Sequence, residues 1–541
     1  MAPCTNFAGL ISQCFWMLAL LCFVHNFPQP AHAQEQEARR PAPRATVVDC
    51  LAGKKLTVIK PADTQYASYS SPYNLRLQYK PAAIVVASSN QHVSDAVLCA
   101  AQYNLKVQPR SGGHSYGSYG TGGKDGAVVI DMQKFQNISL DKNTNIATFG
   151  AGLRLGNLEL ALRSSGRALP HGTCANVGVG GHFTIGGDGF TTRAYGLAID
   201  SLVGMDVVLA NGSVVHATST QHKDVFFAMK GAGASFGIAT TFYAQTFAYP
   251  KALTGIYLTW PGLSANTEKS VSALKHIQNY ANNATSGLDR KFQFDVTLDA
   301  FGNFILKGTY LGPIATFNKT VLPELLRGLP TPAASDSDSP TYVKEYAWTD
   351  ALIDANYGSD IAYPKPGESG YVPTPDHDTF YTKSLTVPAP GLPETAIRNL
   401  VAWGQAHQQG KNPAVAWYFT LSLQGGVDNQ IFLDSKSGDS AFWRRDTTWV
   451  MELSGFPDGA DLAFPVPAGI DLVNDLDRQV TGVLGAGNYG AYQGYVDTEL
   501  SAEQAGRLYY GDVLFEKLKG LKKKIDPGNL FSNPQSIPVG T

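Results

Sequence analysis

The chain has 541 residues, too many for one ordinary core, which predicts two domains. A formal net charge of -2 offers no basic stripe for nucleic acid and no cationic face for an anionic membrane. The 55 glycines and plentiful aromatics suggest tight turns and pockets fitted to a flat, polar-edged ligand.

The first 33 residues read as an export signal. Phe15–Val24 is an apolar run too short to span a bilayer, and Ala31-His32-Ala33 is a small-x-small cleavage site that would leave Gln34 as the first mature residue. No Lys or Arg precedes the run, which departs from the usual signal pattern. Cys4, Cys14 and Cys22 would leave with the signal, and Cys50, Cys99 and Cys174 would remain. A Cys50–Cys99 disulfide is predicted, with Cys174 either a buried bystander or a reactive thiol. Asn137, Asn211, Asn283 and Asn318 lie in glycosylation sequons, usable in a eukaryotic host if exposed.

A polar, proline-bearing lead-in covers 34–45. Leu56–Ile59 and Ala82–Ala87 are strand-like, and Ser89 or Asn90 can cap a helix through Val93, Val97 and Leu98. Strands at Leu105–Gln108 and Val128–Asp131 flank the glycine-rich stretch Arg110–Gly123, RSGGHSYGSYGTGG. Leu155, Leu158 and Leu162 mark a helix ending near Ser164–Gly166, and the alternation predicts an α/β arrangement here. A second glycine-rich stretch runs from Gly172 to Gly189. Leu202–Leu209, the Asn211-Gly212 turn and Val214–Val215 form a hairpin. Phe226–Met229 precedes a third glycine-rich turn over 230–237, and a strand at Ile238–Phe247 closes the block.

From about residue 250 the texture changes. A helix at Thr267–Tyr280 is followed by strands Phe292–Leu298 and Phe304–Tyr310, a helix at Leu322–Leu326 and an exposed loop at 329–340. The proline-rich stretch 355–390 reads as irregular. A helix at 391–406, strands at Ala414–Gln424 and Trp449–Leu453, and a helix near Leu472–Val480 complete a sheet covered by helices on one side. The tail holds a tyrosine-rich segment (492–510), a helix at Gly511–Lys524 and a stop at Asp526–Pro534. No repeat recurs at a fixed period.

A glycine-rich loop loses much backbone entropy on folding. Its benefit is bare backbone, whose N–H groups can form an anion-binding nest, with Arg110 adding positive charge at the entrance. Gly113–Gly117 matches the G-x-S-x-G elbow of serine hydrolases, but that elbow needs a helix directly after the serine and Ser118–Gly123 starts none. His171/His182 and His216/His222 lack metal-ligand spacing, so no metal is expected. There is no Walker A motif, and no G-x-G-x-x-G opens a helix. What remains is a histidine loop and a cysteine loop, each embedded in glycine. Both side chains are nucleophiles that could attach to a large planar ligand. The plainer alternative is that His114 hydrogen-bonds within its loop and Cys174 is buried.

The combination of motifs resembles the berberine-bridge-enzyme-like family of FAD-linked oxidases, which have the vanillyl-alcohol-oxidase fold. RSGGHS (110–115) is similar to the family's pyrophosphate loop, implying flavin attachment at His114 through the 8α-methyl, with Arg110, Ser111, Gly112, Gly113 and Ser115 around FAD. GTCANVGVGGH (172–182) is similar to the loop whose cysteine bonds flavin C6, implying Cys174 together with Val177, Gly178, Gly181 and His182. IGGDG (185–189), with Gly187 and Gly189, and YGLAID (195–200) continue that pattern. YQGYVD (492–497) resembles the family's tyrosine segment, with Gly494 where asparagine is common, and DPGNLFSNPQSI (526–537) resembles its closing motif. The implied fold is α+β. A signal peptide (1–33) precedes a two-part FAD-binding domain of PCMH type (34–250). A substrate domain with an antiparallel sheet covered by helices follows (251–490), and the C-terminal segment (491–541) returns to the FAD domain.

The resemblance further implies bicovalent FAD and oxidation of a CH–OH group, with O2 reduced to H2O2. The resemblance is strongest to carbohydrate oxidases that turn a C1 hemiacetal into a lactone. Tyr495 matches the substrate-deprotonating tyrosine, with Tyr492 as runner-up; a phenol near pKa 10 needs positive charge or donors to act as a base. Tyr116 would line the pocket. Glu452, in WVMEL, would orient the substrate hydroxyl or Tyr495, with Gln424 a second candidate. Val177 resembles the oxygen-admitting version of its position. Trp260, Trp348, Trp403, Trp417, Trp443 and Trp449 are sugar-stacking surfaces or core. Two other readings stand: a flavoprotein acting on a phenolic, alkaloid or polyketide substrate, and a non-catalytic secreted flavin- or carbohydrate-binding protein. The expected partners are a small molecule and O2, with no nucleic acid or membrane, for a secreted monomer.

Overall fold

The computed structural model describes residues 46–540 apart from 286–287, 336–339, 410–414, 436–437 and 459–462. The expected signal peptide, the expected lead-in and part of the 329–340 loop lie outside the described residues. Among the described residues no helix is long and apolar enough to cross a membrane. The four sequon asparagines are all exposed.

The first core is built on two sheets. One is four-stranded, ordered Val58–Ile59, Ala83–Val86, Val128–Asp131, Val107–Arg110. Its last three strands are mutually parallel, which requires a crossover. The helix Asn90–Gln102 supplies it, capped as expected by Ser89, whose Oγ accepts from His92 N at 3.2 Å. Cys50 and Cys99 form the expected disulfide against this helix. The second sheet is five-stranded and antiparallel, and contains the expected hairpin Leu202–Val208/Val214–Thr218.

The C-terminal tail completes this core rather than forming one of its own. Val107 N donates to Leu530 O at 2.9 Å, and the buried Lys522 ammonium bonds the Ser235 and Phe531 carbonyls and the Asp526 carboxylate. Phe515, Leu518 and Phe531 are buried among residues of the first half. The tail helix begins earlier than its pattern suggests, spanning Ala502–Ile525. Gly511, at φ +66°, kinks it where Trp443 packs against the backbone.

The other large sheet has seven antiparallel strands, centred on Phe292–Asp299, Val415–Leu423 and Thr447–Pro457. Strand residues alternate between faces. Phe294, Val296, Trp417, Phe419, Leu421, Trp449, Met451 and Leu453 pack on the helices Thr267–Asn282, Glu394–Ala406 and Ala468–Leu484. The opposite face carries Gln293, Asp295, Thr297, Thr420, Ser422, Glu452 and Ser384. The registers Thr297↔Thr420, Thr420↔Glu452 and Ser384↔Glu452 align four polar residues in one row across the strands. Three strands of this sheet escape the sequence pattern, Leu253–Thr259, Tyr342–Tyr346 and Tyr381–Pro388; the last corrects the reading of 355–390 as wholly irregular.

The tryptophan expectation also needs correcting. Trp260, Trp348, Trp403, Trp417 and Trp449 are buried in the cores and offer no stacking surface. Trp443 packs against Gly490, Gly511 and Arg444.

Candidate active site

A cavity of about 290 Å³ lies where the two glycine-rich loops, the tail and the third glycine-rich turn meet. The first loop leaves its strand at Arg110. Arg110 does not place a free charge at the entrance, as its position suggested. It is buried, and its Nε donates to Asp131 Oδ2 at 3.0 Å, because the parallel register sets the two residues side by side. It therefore braces the loop from behind while still bordering the cavity.

The two loops touch backbone to backbone. A Cβ at Gly178 would lie 2.0 Å from Gly112 N, so no larger residue fits that contact. Ser111 Oγ accepts from Gly180 N at 3.1 Å and donates to Ala151 O at 2.6 Å. Gly113, at φ +75°, turns the chain so that His114 enters the cavity wall. Ser115 Oγ accepts from Tyr119 N at 3.2 Å, closing the loop on itself.

His114 stacks on Tyr73 at 3.9 Å between ring centroids, and its buried Nε2 has no hydrogen-bond partner. Burial, and then the Arg154 charge, push its pKa down to about 4, so the ring is neutral near pH 7.

Cys174, Val177, Gly178 and Gly181 border the cavity from the second loop. Part of this stretch is helical, Val179–Ile185, where the sequence suggests only loop. His182 Nε2 accepts from Gly172 N at 2.9 Å and is buried, with its pKa lowered to about 3 by desolvation. His171 instead pairs with Glu159 at 3.4 Å. Gly187 and Gly189 sit behind the cavity. Gly187 N donates to Tyr492 Oη at 3.2 Å, and a Cβ at Gly189 would lie 1.9 Å from His171 O.

Three tyrosines form the wall nearest the large sheet. Tyr116 and Tyr495 stack at 5.6 Å, and Tyr492 meets Tyr495 edge-on at 5.3 Å. Glu452 is buried, and its Oε1 accepts from Tyr116 Oη at 3.3 Å and from Tyr418 Oη at 3.0 Å. It thus binds Tyr116 and Tyr418 directly, and its charge also acts on Tyr495. Burial, and then the Glu452 charge, hold the Tyr495 phenol well above the usual range. Gln424 Nε2 donates to Asp188 Oδ2 at 3.1 Å, tying the sheet to the IGGDG loop. Burial raises the Asp188 carboxyl.

Four residues here carry no strong sequence signal: Tyr73, Arg154, Asp188 and Tyr418. Each has a partner far away in the chain: His114 for Tyr73, Pro373 for Arg154, Gln424 for Asp188 and Glu452 for Tyr418. Only the strand alternation in WYFTLSLQ could have put Tyr418 on the face of Thr420 and Ser422.

An orphaned histidine nitrogen, a cradle of bare backbone and open space beside Gly181 fit a large planar dinucleotide such as FAD. No group of His, Cys, Asp and Glu able to hold a metal occurs among the described residues.

Comparison with known proteins agrees with this fit. Residues 81–218 match the FAD binding domain family and 491–538 match the family described as berberine and berberine like. A xylooligosaccharide oxidase of Thermothelomyces thermophilus is 34% identical over 92% of this chain and 95% of its own. A chitooligosaccharide oxidase of Gibberella zeae is 32% identical over 92% and 95%. Among solved structures, the glucooligosaccharide oxidase from Acremonium strictum, described with a 6-S-cysteinyl, 8α-N1-histidyl FAD, superposes with a TM-score of 0.82. It is 29% identical, covering 92% of this chain and all of that one. This chain belongs to the berberine-bridge-enzyme-like FAD-linked oxidases of the vanillyl-alcohol-oxidase fold, and is an FAD-dependent enzyme that oxidises CH–OH groups.

Proposed function

We propose that the enzyme oxidises the C1 hemiacetal of a mono- or oligosaccharide to the lactone, with O2 as electron acceptor. The observation that carries this reading is the placement of three tyrosines, one of them bonded to Glu452 on the polar sheet face, in one cavity with the backbone cradle. A sugar presents hydroxyls on every side, and phenol hydroxyls backed by a buried carboxylate meet them better than an apolar wall would. The relatives named as oligosaccharide oxidases point the same way.

FAD, when bound, would supply hydride-accepting redox chemistry, with O2 as the final electron acceptor. Arg110, Ser111, Gly112, Gly113, Ser115, Val177, Gly178, Gly181 and His182 would hold it, with Gly187 and Gly189 shaping the wall behind. His114 and Cys174 are its attachment points. A neutral His114 has the lone pair that attachment needs. The Cys174 sulfur is disulfide-bonded in this structure, so attachment there requires its reduced, thiolate form.

Tyr495 takes the proton from the C1 hydroxyl as hydride leaves the same carbon. Its phenol must be ionised to do so, and the Glu452 charge opposes that, so activity rises with pH through the Tyr495 pKa. Tyr116, fixed by its bond to Glu452, orients the substrate hydroxyl. Val177, small and β-branched, leaves O2 access. We read residues 34–250 with 491–541 as the cofactor part and 251–490 as the substrate part of an exported monomer.

The test is anaerobic bleaching of the flavin by glucose, lactose, cello- and chito-oligosaccharides, followed by air. Bleaching by a sugar and fast recolouring with peroxide is the expected result. Bleaching without fast recolouring makes the enzyme a dehydrogenase. A flavin that dithionite reduces but no sugar does overturns the carbohydrate assignment and directs attention to phenolic substrates.

A further inference from the structure

We infer that Arg154 is a positioning residue that holds the His114 loop and the Cys174 loop at the spacing at which both can bond one flavin. The inference rests on the attachment reading above and concerns how this chain achieves it.

The main chain of Arg154 is paired with the cysteine loop. It forms an antiparallel bridge with Gly178. On either side, Leu155 N donates to Val177 O and Val179 N to Leu153 O, both at 2.9 Å. The side chain crosses to the other loop. Its buried guanidinium donates through Nη1 to Gly112 O at 3.2 Å and Asn176 O at 2.5 Å, and through Nη2 to Pro373 O at 2.9 Å. Gly112 lies two residues before His114, and Asn176 lies two residues after Cys174. One planar fork therefore spans both loops next to their nucleophiles, and it also secures the 373 segment that lies over them. Thr374 Oγ1 approaches the pro-Cβ position of Gly113 to 2.7 Å, so that segment presses on the turn that delivers His114.

Guanidinium suits this role because its donors are rigidly placed; an ammonium on a flexible stem cannot hold three diverging carbonyls in one plane. The Arg154 charge also contributes to keeping His114 unprotonated. Starting from the His114 ring and from the Cys174 thiol, freed from its disulfide by a thiol reductant, each attachment replaces a flavin C–H with a C–N or C–S bond. The two protons and two electrons released pass to O2 as H2O2, so each bond needs one O2 and a correctly placed nucleophile.

The experiment compares wild type, Arg154→Met, Arg154→Lys and a control, Leu476→Ala, which opens a cavity behind the distant sheet without touching the loops. Each protein is purified, its Tm recorded, and its flavin-bearing peptides mapped by mass spectrometry after proteolysis. The expected result is doubly linked flavin in wild type and in Leu476→Ala, and a several-fold fall in the doubly linked fraction in Arg154→Met. Singly linked peptides should replace it, and Arg154→Lys should lie between. Wild type without bonds at both His114 and Cys174 overturns the attachment reading. Doubly linked wild type with equal linkage in Arg154→Met overturns the Arg154 inference alone. Equal loss of linkage in Leu476→Ala at a matched fall in Tm also overturns it, by reducing Arg154 to general stability. If Arg154→Met does not fold, Arg154→Lys decides, and linkage equal to wild type overturns the inference.

Discussion

Along Ser111–Gly113 and Gly178–Gly181 the cavity wall is backbone, drawn in so closely that a single Cβ has no room at Gly112 or Gly178. The wall nearest the sheet is made of side chains, Tyr116, Tyr492 and Tyr495, backed through Tyr116 by Glu452 on a sheet whose other face is committed to a core. A ligand common to a family can be met by backbone, which does not change with side-chain substitution. A ligand that varies must be met by groups that can change without disturbing the fold. Side chains allow this, and the sheet behind them stays packed through Val296, Phe419, Leu421 and Met451 on its other face.

Substitutions on the two walls should therefore fail differently. Gly178→Ala should be the most damaging, because its Cβ would lie 2.0 Å from Gly112 N. A cost on the order of 4 kcal/mol or more is expected, together with loss of bound flavin, read as the visible absorbance per mole of protein. Flavin retained at the wild-type ratio would refute the idea of a rigid backbone wall.

On the other wall, Tyr495→Phe should keep the flavin and the fold and slow its anaerobic reduction by about 10²- to 10⁴-fold, the usual worth of a positioned base. Stopped-flow bleaching measures this directly. A reduction rate unchanged from wild type would move the role to Tyr492.

Glu452→Gln should act on pH dependence. The Glu452 charge raises the Tyr495 phenol, and the phenol works when ionised, so removing the charge lowers its pKa. The rising limb of the reduction rate should move to lower pH. A limb that stays in place would show that the proton concerned is not on Tyr495.

Gln424→Leu should have the smallest effect. It removes a donor from the buried Asp188 and one tie between the walls, at about 1–3 kcal/mol. The measurement is Tm, with the visible spectrum unchanged.

Local signals carried much of this organisation. Ser89 caps its helix, Asn211-Gly212 turns its hairpin, and both glycine-rich stretches border the cavity, because each of these depends on residues within a few positions. Long-range pairing is where the sequence misleads. Arg110 reads as a free charge because Asp131, its partner, becomes adjacent only when two parallel strands align. The strand Tyr381–Pro388 is masked by the proline-rich segment before it, although its own residues alternate. Val179–Ile185 is helical despite two internal glycines, since packing on the first core overrides weak propensity. The tryptophans were ambiguous for the same reason, since burial belongs to the assembled sheet.

The tail has a consequence for synthesis. Val107 is paired with Leu530, Ser235 receives the Lys522 ammonium, and Tyr492 and Tyr495 arrive only with the last fifty residues. A nascent chain still on the ribosome has its cofactor loops but neither the tail that completes their core nor the tyrosines that face them. Assembly of the active centre is accordingly a post-translational event. A messenger truncated upstream of codon 492 should yield chains that the cell's quality control removes, rather than a partly active enzyme.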